Sequence, residues 1–193
     1  MLVESFDFTD RNYEHELLGR LRENVFHLTT EESFQKIKKD GFVFNNKNGK
    51  YPVYAGSDKS FGRNQGWVCL FDLRSKSEQE IEDTLSRYYF LGPSWFVEYL
   101  PDRTDLRLAY LLLEPKCYNR LIPNETARAL GNDPSVYTQH VPKAECWFPG
   151  NMPLAFVQQV LLIRIRKSTP KDNPLLYAHH LLELGEQQRR KRS

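Results

Sequence analysis

Val25-Phe26-His27-Leu28-Thr29-Thr30-Glu31-Glu32-Ser33-Phe34 is the stretch from which the fold is read. Val25 and Phe26 favour extended backbone. Thr29 with Glu32 fits Thr-x-x-Glu, in which a hydroxyl and a carboxylate cap one another's backbone N–H groups at a helix start. Phe34 and Ile37 give that helix an apolar face, and Asp40-Gly41 ends it. A short strand thus delivers His27 to a helix N-terminus, whose exposed N–H groups favour a phosphate- and ribose-bearing ligand. A core or edge histidine beside an ordinary helix cap is the alternative reading.

Upstream, residues 1–10 read as an irregular lead-in, and Asp10 as the cap of a helix over 11–23 with Tyr13, Leu17, Leu18 and Leu21 in an apolar stripe. Downstream, Phe42-Val43-Phe44 reads as a short strand and Asn45 to Lys50 as a polar turn. Residues 51–66 carry three glycines and few aliphatics, so they read as a short strand at 52–55 followed by a long surface loop, a place where function concentrates. They match neither the Gly-Lys-Ser/Thr phosphate loop nor the three-glycine dinucleotide fingerprint. Trp67 to Leu73 is a continuous apolar run, expected of a strand buried on both faces.

Ser77 to Glu80 opens a helix reaching about Tyr89. Strands are expected over Leu106 to Leu113, Val141 to Trp147 and Val160 to Ile165, with a polar connection over 119–138 and a helical turn over 153–157. Trp95 to Val97 reads as a brief strand or buried turn, and Asn173-Pro174 starts a final helix. Roughly six or seven strands with helices early, in the middle and at the end make a mixed α+β domain rather than a doubly wound sheet. The expected division is one domain over 1–173 and a C-terminal helix with basic tail over 174–193.

Across 193 residues the net charge is only +2, so overall charge does not single out a nucleic-acid binder. The basic excess is local, at Arg164, Arg166 and Lys167 and at Arg189 to Arg192, and reads either as solvated charge or as a polyanion contact. Cys69, Cys117 and Cys146 are scattered, with no His at metal-ligand spacing, which points to a reducing compartment and no metal. His179-His180 read as ordinary helix residues, since neighbours on a helix point about 100° apart. With no apolar run of bilayer length and no signal-peptide pattern at Met1 to Ser5, the expectation is a soluble, cytoplasmic protein with no membrane contact.

Three segments in order carry a family likeness: His27-Leu28-Thr29 before the helix ending at Gly41; Tyr54-Ala55-Gly56-Ser57 leading through Phe61-Gly62 to Val68-Cys69-Leu70-Phe71-Asp72; and Ala144-Glu145-Cys146 before Pro153 and the strand over 160–165. Over about residues 24–166 this resembles the ADP-ribosyltransferase superfamily, in its His-Tyr-Glu branch, and most of all the DarT-like toxins that modify nucleic acid. The resemblance implies an ADP-ribosyltransferase-like split mixed sheet with flanking helices. It also implies NAD as co-substrate, with His27 on the adenosine ribose, Leu28 offering its backbone to the nicotinamide carboxamide, and Thr29 as the hydroxyl residue that follows. Tyr54 would pack on nicotinamide, with Tyr51 and Phe61 as the other candidates, and Glu145 would be the catalytic carboxylate. Leu28 stands where the polymerases have Gly. Arg63 is a further catalytic candidate, to pair with the pyrophosphate or activate the acceptor, or else a solvent-facing loop arginine.

The chemistry suits the residues. Breaking the nicotinamide–ribose bond builds positive charge on the ribose, and Glu145 among Ala144, Cys146, Trp147 and Phe148 would act on it with little screening. A strand-edge Glu facing water is its plain alternative. DNA or RNA is the expected acceptor. Arginine is disfavoured, because arginine-modifying relatives carry a second Glu where Lys143 stands. The DarT-like likeness further implies a toxin or defence effector with a neutralising antitoxin protein. A non-catalytic NAD, ADP-ribose or nucleic-acid-end binding module, a protein-modifying transferase, an RNA 2′-phosphotransferase-like enzyme, and a scaffold docking through 174–192 are the other readings.

Overall fold

The computed structural model describes residues 1–9, 13–51, 60–88, 91, 105–129 and 140–166. Expectations for Asp10, Tyr54, the strand at 52–55, Trp95 to Val97, His179-His180 and the tail over 174–193 fall outside them. The elements are β1 (Leu2–Thr9), α1 (Tyr13–Leu21), β2 (Val25–Thr30), α2 (Glu31–Asp40), β3 (Phe42–Val43), α3 (Phe61–Gln65), β4 (Trp67–Asp72), α4 (Glu78–Arg87), β5 (Asp105–Leu113), α5 (Asn124–Ala129), β6 (Glu145–Pro149), β7 (Met152–Pro153) and β8 (Val157–Arg166). The turns Pro115–Arg120 and Leu154–Phe156 are 3-10 helical.

The fold is α+β, as expected: one six-stranded mixed sheet in the order β1-β8-β5-β2-β4-β6, and a two-stranded sheet of β3 and β7. Strand β5 is central, buried from Leu108 to Leu113, because its run of Leu, Ala and Tyr meets apolar layers on both sides. One face packs Phe26, Leu28, Phe71, Tyr110 and Ile163 against Leu17 and Leu21 of α1 and Ile81 of α4. The other packs Val25, Val68, Leu70, Leu111 and Val160 against Phe34 and Ile37 of α2. Side-chain alternation along each strand feeds the two cores in turn.

Five expectations are corrected. Residues 2–9 are not an irregular lead-in but strand β1, parallel to β8 with Phe6 opposite Ile163 and Phe8 opposite Ile165. The cap of α2 is Thr30, not Thr29: Thr30 Oγ1 accepts from Ser33 N at 3.1 Å. Pairing of Thr29 with Ala109 and Thr30 with Leu108 carries the strand one residue further than the capping pattern implied. Within the expected long loop, Ser60 caps the short helix α3, which ends at Gly66 with φ 79°. In the expected polar connection, α5 covers Asn124–Ala129. The strand foreseen from Val141 begins at Glu145, because Lys143 turns the chain with φ 65° and Glu145 N bonds back to Val141 O at 2.9 Å.

Other boundaries agree with the sequence reading. Gly41 closes α2 at φ 75° with its N–H on Ile37 O, and Ser77 and Glu80 form a reciprocal capping box on α4. Replacing Thr30 with Ala is expected to lower the unfolding free energy by about 1 kcal/mol in urea titration, the usual worth of such a cap. No loss would mean that the hydroxyl does not hold the helix start.

Candidate functional site

The hydrogen-bond ladder between β2 and β4 is short. Val25 pairs with Asp72 and Phe26 with Phe71. From His27 onward β2 pairs, among the described residues, only with β5, while β4 from Phe71 back to Trp67 pairs with β6. The six-stranded sheet therefore parts between its fourth and fifth strands, and His27 is the first residue in the parting.

His27 lies opposite Leu111, on the α2 side of the sheet by alternation. Its ring nevertheless reaches across the parting, where Nδ1 lies 2.9 Å from Cys69 O. A carbonyl only accepts, so Nδ1 carries the proton. Burial, partly opposed by that bond, lowers the pKa of His27 below its ordinary 6.5. The ring is then neutral near pH 7, and Nε2 is an acceptor with a fixed direction.

Glu145 is paired with Phe71, which is itself paired with Phe26, so the carboxylate belongs to the α1 and α4 side. It is 1% exposed. Three donors hold it: Val141 N–H to Oε2 at 2.9 Å, Trp147 Nε1–H to Oε1 at 2.9 Å, and Cys69 Sγ–H to Oε1 at 3.1 Å. A carboxylate offers about four lone-pair sites, so one remains for a further donor. Burial raises the pKa of Glu145 above 4.5, more than the three bonds lower it. The Cys69 thiol is pushed well above 9.0 by burial and by Glu145, and so stays protonated as a donor.

Cys69 thus joins the two sides of the parting, its carbonyl on His27 and its thiol on Glu145. Asn124 adds a buried polar contact beneath, with Nδ2 2.6 Å from His140 Nε2 and donating to Glu145 O at 3.3 Å. Phe61 meets the Trp147 indole edge-on, with ring centres 4.7 Å apart, while Trp67 lies tilted to it and His140 is stacked on it. Gly62 lets α3 come this close: a Cβ there would sit 2.5 Å from Trp147 Cδ1 and 2.9 Å from its Nε1. Neither a family model nor a curated protein matches this sequence.

The structure therefore links His27 and Glu145 only indirectly, from opposite faces of the sheet through the carbonyl and the thiol of Cys69, and treats the other expected residues differently. Leu28 is buried in the α1-side core opposite Tyr110, so its side chain is spent there. Thr29 is buried opposite Ala109. Phe61 is 1% exposed between Trp67 and Trp147, which leaves no ring face for a ligand. Tyr51 instead stacks near Phe44 and bonds through its hydroxyl to Asp40. Arg63 is on helix α3 rather than in a loop, beside Gly49, where a Cβ would lie 3.3 Å from its Nη2.

Arg164 and Arg166, read either as solvated charge or as a polyanion contact, are paired with Asp105 and Asp7. Sequence reasoning missed Cys69, Trp147, Gly62, Asn124 and His140 as a set, because only strand register reveals that they meet. Among the described residues no three His, Cys, Asp or Glu side chains cluster as a metal site, and no helix is long and apolar enough to cross a membrane.

The two shifted groups act on stability with opposite signs. As pH falls below 6.5, an unfolded imidazole takes up a proton that folded His27 refuses, so stability contributed above 6.5 is lost. Glu145 in the folded state holds its proton above 4.5, so its ionisation costs stability as pH rises through the raised value. Urea titrations between about pH 5 and 7 are expected to show His27→Gln losing less stability on acidification than the parent chain. Equal pH slopes would contradict a neutral, half-buried His27.

Proposed function

We propose that the chain is an NAD-dependent ADP-ribosyltransferase acting on nucleic acid, built on an ADP-ribosyltransferase-like split sheet. The observation that carries this reading is the parting after Phe26, with the His27 imidazole on Cys69 O and the Cys69 thiol on Glu145. The residues fit the co-substrate chemically. His27 Nε2 can accept from a ribose hydroxyl. Leu28, with its side chain in the core, presents only backbone along a strand edge that has no ladder partner in β4 among the described residues. Glu145 has a lone-pair site left for the ribose 2′-hydroxyl. Tyr54, outside the described residues, stays the proposed wall against nicotinamide.

Glu145 would stabilise the positive charge that grows on the ribose as nicotinamide leaves with the bonding electron pair. An oxygen or nitrogen of the acceptor then bonds to the same ribose carbon and gives its proton to solvent. His27 and the Leu28 backbone would hold the two ends of the dinucleotide, which limits the paths open to the leaving group. Arg63 keeps a proposed place near the pyrophosphate or acceptor, and an antitoxin-like protein that covers the site is part of the same reading.

The burial of Glu145 and its three donors also favour a second reading, a binding module that holds NAD or ADP-ribose without reaction. Incubation with NAD labelled in the nicotinamide carbonyl and, in parallel, with NAD labelled in the adenylate, with DNA, RNA and lysate protein as acceptors, separates the two. The enzyme releases nicotinamide and labels a nucleic acid. A module binds in calorimetry and releases none. Neither binding nor release would remove both.

A further inference from the structure

A further group of basic residues lies outside the two that the sequence reading singled out. Residues 36–50 hold Lys36, Lys38, Lys39, Lys47 and Lys50 against the single acid Asp40, in a chain whose net charge is +2. Lys36 is paired with Glu32 and Lys50 approaches Asp40 at 3.9 Å. Lys38, Lys39 and Lys47 are exposed, with no carboxylate partner among the described residues.

The same segment carries a built aromatic platform. Phe42 is 42% exposed, and its ring centre lies 6.4 Å from that of Phe44, which is 5.5 Å from that of Tyr51. The Lys50 ammonium lies 4.4 Å from the Phe44 ring centre and 5.0 Å from that of Tyr51. Side-chain hydrogen bonds tie the turn: Asn46 Nδ2 donates to Tyr51 O and Asn46 Oδ1 accepts from Tyr51 N, both at 2.9 Å, while Asn151 Oδ1 accepts from Asn45 N at 3.1 Å. The platform abuts α3 as well. Gly49 meets the Arg63 guanidinium, and Gly66 lies against the Lys47 side chain. Through Gly62 the same helix packs on Trp147, which donates to Glu145.

We infer that the surface of Phe42, Phe44, Tyr51, Lys47 and Lys50 binds single-stranded nucleic acid, with unstacked bases on the rings and phosphates on the ammonium groups. It deepens the proposed function by giving the acceptor strand a seat beside α3. The exposed Phe42 ring offers a π-face that an unpaired base can cover, with the Lys50 ammonium over the neighbouring Phe44 and Tyr51 rings placed for a phosphate, and every base has such a face, so the site has little sequence preference. A paired duplex would use the lysines alone.

Fluorescence anisotropy with labelled mixed-sequence DNA and RNA single strands, without NAD, tests this. Phe42→Ala, at an exposed ring, is expected to weaken binding about tenfold, within the range of one lost base stack. Lys47→Gln with Lys50→Gln is expected to lower the slope of log K against log salt by about 1.4, at roughly 0.7 per phosphate contact on single strands. Parental affinity and slope in both variants would overturn the inference, as would equal affinity for duplex or displacement by polyglutamate at matched charge. Strand binding lost in these variants, from a protein that transfers no ADP-ribose, sustains the surface and removes the proposed enzyme. Undiminished transfer to limiting concentrations of strand by both variants sustains the enzyme and removes the surface.

Discussion

Glu145→Gln is expected to reduce ADP-ribose transfer by about 10²–10³-fold, the range seen when one preorganised charge-stabilising group is removed from an active site. The amide has the carboxylate's size but not its charge. Its oxygen can still accept from Trp147 Nε1–H and Cys69 Sγ–H, and its NH₂ then faces the Val141 N–H. Two donors meeting in a buried site cost about 1–3 kcal/mol. Relief from burying a charge offsets part of that, so the variant should stay folded. A melt and a near-ultraviolet spectrum taken beside the transfer assay separate chemistry from folding. Transfer within about threefold of the parent by a folded Glu145→Gln protein would take the carboxylate out of the reaction, since that change in rate is under 1 kcal/mol.

The second large effect lies at Gly62. An alanine methyl there would stand 2.5 Å from Trp147 Cδ1, with Trp67 O only 3.4 Å away, so the neighbour that must yield is a fully buried indole. Overpacking of this kind costs about 1–3 kcal/mol. Moving the indole also breaks its bond to the Glu145 carboxylate, worth about 1.5–3 kcal/mol for a charged acceptor. The expected loss for Gly62→Ala is therefore about 4 kcal/mol in urea titration, a large part of the 5–15 kcal/mol typical of a domain. Any transfer activity should fall with it, because Oε1 loses a donor. A loss under about 1 kcal/mol would mean that helix α3 does not pin Trp147 as the geometry implies.

Much of this architecture is legible in the sequence, for identifiable reasons. Trp67 to Phe71 and Leu108 to Leu113 are unbroken apolar runs, and Ser77 and Gly41 carry the chemistry of helix ends, so local composition is enough. Strand β1 is harder to read. Leu2 and Val3 are exposed at 58% and 43%, and only Phe6 and Phe8 alternate inward, onto a partner strand more than 150 residues away. Adjacent threonines made the cap ambiguous, and pairing with β5 rather than capping propensity decided for Thr30.

At the site, His27 and Glu145 stand out in the sequence because each belongs to a short ordered motif. The residues that hold them do not. Cys69 and Trp147 are 78 positions apart and become partners only when β4 and β6 align, with Cys69 opposite Trp147 and Phe71 opposite Glu145. Gly62 looks like one more loop glycine until Trp147 is placed beside it. The basic residues of β8 are legible as charge but not as ion pairs, because their acidic partners, Asp7 and Asp105, come from distant strands.

The central claim is that the His27 and Glu145 sides of the parted sheet serve one nicotinamide nucleotide and pass its ADP-ribose to a nucleic acid. The most direct measurement is the intact mass of synthetic DNA and RNA strands after incubation with NAD and the purified chain. A gain of one ADP-ribose unit per modified strand, dependent on NAD and missing with Glu145→Gln, is the predicted result. Strands of unchanged mass, with NAD intact and the parent protein folded, would contradict it.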